Sequence, residues 1–201
     1  MNQAQIAVPT SVSRSKAVSP VLLQGGLAVL GSVLVAVCAH ISIPLVFTPV
    51  PLTLQTFAVL LLGLTLSPAT AFAALTLYLL EGAAGMPVFS PHGPGGLLQI
   101  TGLTGGYLLS YPFAAALTGV VAKLFRRSFG TYVLSAALGS AVILALGGSW
   151  LAVATHQSPA TTLTLAVWPF LPGDALKVCA AAGVAMGFRW ARDRFQFLNV
   201  L

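Results

Sequence analysis

Residues 52–85 read LTLQTFAVLLLGLTLSPATAFAALTLYLLEGAAG, an apolar run that is interrupted near its middle by Ser67-Pro68. A helix that crosses a membrane needs about 20 mainly apolar residues. Proline lacks a backbone N–H and disfavours helical conformation in the residue before it. We therefore interpret the run as two short spans, 52–66 and 69–85, joined by a turn. Whether the whole chain crosses the membrane five or six times depends on this turn.

The composition of the chain indicates a membrane protein. Hydrophobic residues make up 57% of the 201 residues, charged residues make up 6%, and the mean hydropathy is +0.96. Roughly 25% of the residues of an average soluble protein are charged, so nine basic and three acidic side chains are too few to cover a water-facing surface. The composition excludes a soluble enzyme, a disordered chain and a nucleic-acid-binding protein, and it makes membrane lipid the surrounding partner.

Four further apolar runs are long enough to be spans, and their boundaries are 21–43, 100–122, 131–154 and 165–188. The polar, serine-rich start of the chain is typical of a flexible tail. The apolar run that follows it is too long for the core of a secretory signal, which has about 7–15 residues. We divide the chain into a flexible N-terminal tail, a transmembrane domain and a C-terminal tail, at 1–20, 21–190 and 191–201.

The basic residues decide between five and six spans. Membrane proteins concentrate Lys and Arg in their cytoplasmic loops, so an even number of spans must separate successive basic groups. Six spans satisfy this condition for every group, and both termini are then cytoplasmic. We therefore predict an all-α integral membrane protein, a bundle of six transmembrane helices. The three groups are Arg14 with Lys16, Lys123 with Arg126 and Arg127, and Arg189 with Arg192 and Arg194.

One charged pair lies inside the last span. A charge near the centre of a span costs about 2.5–3.5 kcal/mol on the insertion scale, so Asp174 and Lys177 need a reason to be there. Their i,i+3 spacing places both on one helical face, in the outer half of the bilayer. Ionisable residues inside a membrane indicate a ligand site. The alternative is an internal ion pair that only orients the helix.

The patterns that signal catalysis or metal binding are missing from the sequence. No Walker motif is present, so the chain is not expected to hydrolyse ATP itself. No His, Cys or carboxylate cluster has metal-ligand spacing, and no nucleophile, base and carboxylate occur in a catalytic arrangement. We predict a protein that is not an enzyme and that uses no metal or cofactor.

Small residues recur every four positions in the first span, at Ala28, Ser32 and Ala36. Strips of this kind let helices approach closely within a membrane. The strip is a candidate docking face for another membrane subunit. Packing against a helix of the same chain is the alternative.

Four short motifs carry a resemblance to a known family. They are Pro49-Val50-Pro51-Leu52-Thr53-Leu54-Gln55, Gly85-Met86-Pro87-Val88-Phe89, Thr104-Gly105-Gly106-Tyr107 and Pro172-Gly173-Asp174-Ala175-Leu176-Lys177. Taken together and in order, they resemble the BioY family, the biotin-binding S subunits of energy-coupling-factor (ECF) transporters. The resemblance extends over nearly all of residues 21–190.

The resemblance implies a fold like that of the ECF S components, with six transmembrane helices and a substrate-binding domain at 21–190. It implies capture of biotin, as substrate and not as cofactor, on the outer side of a prokaryotic plasma membrane. Energy would come from partners, namely a transmembrane coupling subunit and two ATPase subunits. The strip of Ala28, Ser32 and Ala36 resembles the face on which such a coupling subunit docks.

Biotin carries two ureido N–H donors and one carbonyl on a ring fused to an apolar thioether ring. The resemblance implies that Asp174 accepts a ureido N–H and that Lys177 pairs with Asp174 or donates to the carbonyl. The remaining predicted site residues complete the pocket, close over the apolar ring or meet the carboxylate: Gln55, Tyr107, Phe89, His92 and the loop with Gly95 and Gly96.

Two alternatives to a biotin subunit stay open at this point. The first is an S subunit for another vitamin, since thiamin and riboflavin uptake use the same small-bundle architecture. The second is a structural membrane partner without a ligand, in which Asp174 and Lys177 only orient helices.

Overall fold

Helices dominate the structure, a computed structural model that describes residues 19–198. Within this range there are eight α-helices and one two-stranded antiparallel sheet, in which Ser42 pairs with Thr53 and Ile43 with Leu52. The tail at 1–18, with Arg14 and Lys16, lies outside the described residues. In chain order the elements are α1 (Pro20–His40), β1 (Ser42–Ile43), β2 (Leu52–Thr53), α2 (Gln55–Thr65), α3 (Pro68–Ala83), α4 (Gly96–Thr101), α5 (Gly105–Leu124), α6 (Phe129–Thr155), α7 (Pro159–Ala166) and α8 (Leu171–Leu198).

The turn predicted at Ser67-Pro68 is confirmed. Helix α2 ends at Thr65, and α3 begins at Pro68 with Ser67 as its N-cap. The Ser67 hydroxyl accepts a hydrogen bond from the backbone N–H of Thr70 at 3.1 Å. A serine cap followed by proline at the first helical position is a strong helix start, which explains why the apolar run divides here.

Each of the six predicted spans contains a helix. Within residues 19–198, four helices are long and apolar enough to cross a membrane: α1, α5, α6 and α8. Helices α2 and α3 have 11 and 16 residues. At 1.5 Å per residue they measure about 16 and 24 Å, less than the roughly 30 Å of a bilayer core. The chain is thus a multi-pass helical membrane bundle, and the count of six crossings stays a prediction. Helix α8 continues through Leu198, beyond the predicted end of its span at 188.

Helix α5 occupies the middle of the bundle and packs against α2, α3 and α6. Two glycines allow the close contact with α6. A Cβ atom at Gly106 would overlap the Trp150 side chain, and one at Gly147 would overlap the ring of Tyr107. The predicted Thr-Gly-Gly-Tyr motif therefore lies where two helices meet at backbone distance, which glycine alone permits without displacing a neighbour.

The small-residue strip of α1 packs inside the chain. Ala28 and Ser32 are buried, and the Ser32 hydroxyl donates to the carboxylate of Glu81 on α3 at 3.1 Å. Ala36 is half-buried. The expectation that Ala28 and Ser32 form a docking face is corrected here, because α3 of the same chain covers them. Packing within the chain, the alternative reading of the strip, accounts for both.

Candidate functional site

A small, partly open pocket lies at the end of the bundle where α2, α5 and α8 begin. Its cavity volume is about 50 Å³. Residues from the hairpin, from α4 and from the middle of α6 also line it. The lining residues include Val50, Pro51, Thr53, Gln55, Thr56, Ser90, Gln99, Thr104, Tyr107, Tyr111, Phe170, Asp174 and Lys177. Four of the residues predicted from the sequence, Gln55, Tyr107, Asp174 and Lys177, therefore share one pocket.

Asp174 and Lys177 form an ion pair in this pocket. The Lys177 Nζ atom lies 3.2 Å from Asp174 Oδ1, and the two side chains are 11% and 8% exposed. The second carboxylate oxygen, Oδ2, accepts a hydrogen bond from the Ser140 hydroxyl of α6 at 3.0 Å. A buried charge is tolerated only when it is paired and hydrogen-bonded. The carboxylate meets this condition and retains lone pairs for a further donor.

Gln55 connects the hairpin to the loop after α3. Its side-chain Nε2 donates to the Tyr78 hydroxyl at 2.6 Å, and its Oε1 accepts from the Thr53 hydroxyl at 3.1 Å. The Tyr78 hydroxyl in turn donates to the backbone carbonyl of Val88 at 3.2 Å. Both ends of the Gln55 amide are thus engaged within the chain. The residue positions the pocket wall and keeps a second N–H on Nε2 and acceptor capacity on Oε1.

Tyr107 forms a wall of the pocket. Its hydroxyl donates to the carbonyl of Ala166 at 3.0 Å, which ties α5 to the end of α7. Its ring lies against Gly147 of α6. Tyr111, one helical turn further along α5, is buried and lines the same cavity. The two tyrosines present aromatic surface beside the ion pair, which suits an apolar ring with polar substituents.

Four predicted site residues do not line this pocket. Phe89 is buried against Tyr78, with ring centroids 5.3 Å apart in an edge-to-face contact, in space left by Gly82. His92 is exposed and lines an adjoining recess of about 290 Å³, which shares Pro51, Gln99 and Thr104 with the pocket. Gly95 and Gly96 have φ angles of +71° and +58° and lead the chain into α4. The glycines shape the backbone and Phe89 packs in the core in this structure. Contact of these four residues with a ligand stays a prediction.

Several polar residues of the pocket were not predicted from the sequence, and Gln99 and Thr56 are two of them. Gln99 is buried on α4, and its Oε1 accepts the backbone N–H of Gly95 at 3.1 Å, so that the glycine loop folds over it. The Thr56 hydroxyl is buried and has no hydrogen-bond partner among the described residues. Thr56 directly follows Gln55, and a polar pair at the start of an apolar helix was a usable signal. Nothing in the sequence relates Ser140 to Asp174, because they lie on different helices.

In the range from 19 to 198, no group of three or more His, Cys, Asp or Glu residues is arranged to hold a metal ion. The charges of the pocket are one carboxylate and one ammonium, within a shell of tyrosines and amides. Such a set binds a small molecule that has both donors and acceptors by hydrogen bonds.

Comparisons with known proteins agree with one another. The model of the BioY family matches residues 13–194. A protein of Pyrococcus horikoshii named "Probable biotin transporter BioY" is 37% identical over 76% of this chain and 87% of its own length. The "Biotin transporter BioY" of Thermotoga maritima is 37% identical over 76% of this chain and 88% of its own. A crystal structure of the S-component for biotin from an ECF-type ABC transporter superposes with a TM-score of 0.77 at 22% identity, covering 86% of this chain and 95% of that one.

Proposed function

This chain belongs to the BioY family, and from that premise we propose that it is the biotin-binding subunit of a membrane uptake system. The observation that carries the proposal is the Asp174–Lys177 pair, which is largely buried and lines a pocket at one end of the bundle. Relatives named as biotin transporters support biotin as the ligand. The protein binds and delivers a substrate, and it catalyses no reaction.

The ureido group of biotin suits the charged pair. A ureido N–H donates to the Asp174 carboxylate, and the ureido carbonyl accepts from Lys177, whose ammonium has three donors and uses one on Asp174. The thioether ring packs against Tyr107 and Tyr111. The unpartnered Thr56 hydroxyl is a further hydrogen-bonding group for the ligand. Gln55 and Gln99 act by positioning the hairpin and the glycine loop.

The pocket must widen for this ligand to enter. Pockets for small molecules usually measure about 300–1,000 Å³, and the cavity here is about 50 Å³. The segments that cover it are the hairpin, with Val50 and Pro51, and the stretch from Ser90 to Gln99. We propose that these two segments separate to admit biotin and then close over it.

We propose that separate subunits supply the energy, namely a transmembrane coupling subunit and two ATPase subunits. The docking face needs revision, since Ala28 and Ser32 are covered by α3. The exposed stripe of α1 with Val29, Val33 and Val37 is apolar and available. Half-buried Ala36 lies at its edge. We propose this stripe as the surface on which the coupling subunit packs.

The basic groups support a position in a prokaryotic plasma membrane with both termini cytoplasmic and the pocket facing outward. The test is tag accessibility at each terminus in intact cells and in inverted vesicles. Protection of both tags in cells and exposure of both in vesicles agrees with the proposal. Exposure of either tag in intact cells contradicts it.

The decisive experiment measures binding of labelled biotin to the purified full-length chain. We expect wild type to bind, and Asp174→Asn and Lys177→Met to lose affinity by at least about tenfold, the effect of one lost charged hydrogen bond. Asp193→Asn is the matched control, because Asp193 is an exposed carboxylate near the other end of α8. Unchanged affinity in both pocket variants would refute the site.

A vitamin panel tests the ligand itself. A ligand present at 1,000 times its Kd adds about 4 kcal/mol to stability, so thermal unfolding with biotin, thiamin or riboflavin ranks the three directly. We expect biotin alone to raise the unfolding temperature. A larger shift with thiamin or riboflavin would assign the chain to a different vitamin.

A further inference from the structure

A second, larger recess lies at the opposite end of the bundle. Its volume is about 450 Å³, and four of its lining side chains are basic: Lys123, Arg127, Arg189 and Arg192. The α2–α3 turn forms one wall, and the ends of α5 and α8 form the others. Helices α2 and α3 are short, whereas α8 continues through Leu198. The recess, which we term the basic groove, lies beside this short helical hairpin.

Positive charge is in excess at the basic groove. The sequence has only three acidic residues, and two of them, Glu81 and Asp174, belong to other parts of the fold. The third, Asp193, lies 3.5 Å from Arg189 Nε and 3.8 Å from Arg192 Nε, and its side chain is 53% exposed. One exposed carboxylate thus pairs with two of the four basic residues, and no salt bridge is seen for Lys123 or Arg127 within residues 19–198. Among residues 19–198, no other acidic side chain pairs with these cations.

Arg189 has unused hydrogen-bonding capacity at the groove. Tyr132 lies beside its guanidinium. Nevertheless, the Nη1 atom is buried and makes no hydrogen bond to any residue between 19 and 198. The side chain as a whole is 32% exposed, so the missing partner concerns this one nitrogen atom. An anion in the groove would supply this partner, and arginine binds phosphate oxygens with two parallel hydrogen bonds.

The groove combines these charges with apolar surface. Phe188, an exposed aromatic side chain, and Leu64 line it together with the basic residues. The N-terminus of α3, a helix of 16 residues, also borders it at Ser67 and adds the positive end of a helix dipole. A ligand that fits has a phosphate at one end and a hydrocarbon chain at the other.

We propose that the basic groove binds the headgroup of an anionic phospholipid, with the phosphate between Arg127 and Arg189 and the upper acyl chain against Phe188. Basic pockets between membrane helices bind headgroups of this class. The groove lies at the end of helices that cross the bilayer, which is where headgroups are found. The chemistry recognised is a phosphate ester, and the acyl contact favours a lipid over free phosphate. The inference does not depend on which vitamin the other pocket binds.

The test is native mass spectrometry of the purified chain with phosphatidylglycerol and phosphatidylcholine of identical acyl chains. We expect one phosphatidylglycerol to be retained in clear preference. Each groove arginine contributes about fivefold, so Arg127→Gln with Arg189→Gln lowers retention by more than tenfold. Arg126→Gln is the matched control, since Arg126 is exposed on the same loop and does not line the groove. Circular dichroism verifies that each variant is folded.

If the double variant does not fold, Lys123→Gln replaces it, because Lys123 is exposed and its loss disturbs no core contact. Equal retention of the two lipids, or an equal loss in Arg126→Gln, overturns the proposal. Equal thermal stabilisation by inorganic phosphate and by phosphatidylglycerol assigns the groove to soluble phosphate instead. Unchanged lipid retention in the double variant, with loss of assembly with a coupling subunit, assigns it to a protein partner.

Discussion

The two ends of the bundle handle charge in opposite ways. At the pocket end, one carboxylate and one ammonium are buried 3.2 Å apart, and Ser140 satisfies the remaining carboxylate oxygen. At the basic end, four cations surround a wide groove, and the nearby carboxylate is half exposed. The pocket is internally neutral before any ligand arrives. The groove is not neutral, since Asp193 is the acidic side chain that the described residues place beside its basic residues.

This difference follows from the solvent that surrounds each end. A charge in the apolar interior must find its partner within the fold, because nothing else is available to solvate it. A charge at the membrane surface has water, salt and lipid headgroups around it. The pocket end is therefore sensitive to the loss of a single partner, and the basic end is sensitive to what surrounds the protein.

The largest expected effect is the removal of one member of the buried pair. Asp174→Ala leaves the Lys177 ammonium buried without its carboxylate, which costs about 3–5 kcal/mol. Thermal unfolding of the purified variant measures this loss. Replacing both residues, with Asp174→Leu and Lys177→Met, is expected to restore stability and still abolish biotin binding. A double variant that binds biotin would reduce the pair to a structural role.

The next effect concerns packing near the pocket. In Gly147→Ala the new methyl group overlaps the Tyr107 ring, and overpacking of this kind costs about 1–3 kcal/mol. Gly187→Ala is the control on α8, since no other residue lies within 4 Å of a Cβ there. That substitution is expected to be neutral or to stabilise by up to about 1 kcal/mol, because alanine favours helix. Equal unfolding temperatures for the two variants would contradict the close α5–α6 contact.

A smaller effect is expected at Thr56, where one substitution should lower biotin affinity without lowering stability. Its buried hydroxyl has no partner among the described residues. Thr56→Val therefore removes a polar group that has lost its contact with water and gained no hydrogen bond within the protein. Stability should be unchanged or higher, and biotin affinity should fall by about twofold to tenfold, the effect of one neutral hydrogen bond. Thr118→Val is the control, since its buried hydroxyl donates to Ala114 at 2.8 Å, and it should lower stability. Full biotin affinity in Thr56→Val would remove this hydroxyl from the site.

The smallest effect is expected at the basic end. Asp193 is exposed and pairs loosely with two arginines, and exposed ion pairs contribute about 0–1 kcal/mol. Asp193→Asn should therefore change thermal stability by less than about 1 kcal/mol. A larger loss of stability would show that Asp193 neutralises the basic groove effectively. The two ends of the bundle would then differ less in how their charges are neutralised.

The sequence predicted the features that follow from local chemistry. Ser67 and Pro68 start a new helix whatever the surrounding fold, so they divide the apolar run. The i,i+3 spacing of Asp174 and Lys177 brings their side chains together on any helix. The apolar segments were recognised because a helix that crosses a bilayer needs about 20 mainly apolar residues. These predictions depend on neighbours along the chain, and tertiary contacts did not alter them.

The orientation of helices was not predictable in the same way. In a membrane protein the lipid face and the core face are both apolar, so the pattern does not reveal which side of α1 is buried. Ala28 and Ser32 were therefore assigned to a partner although α3 covers them. The same limit applied to Phe89, whose direction depends on the space beside Gly82. Contacts between distant segments decide both.

The fluorescence of Trp150 is placed to report on the covering of the pocket. The indole N–H donates to the carbonyl of Gly102 at 2.9 Å, where the chain leaves α4, and α4 carries Gln99 into the pocket. Indole fluorescence responds to hydrogen bonding and to the polarity around the ring. The other two tryptophans, Trp168 and Trp190, are well exposed. Displacement of α4 by an entering ligand changes the emission of Trp150, so opening of the pocket is readable in time without an added label.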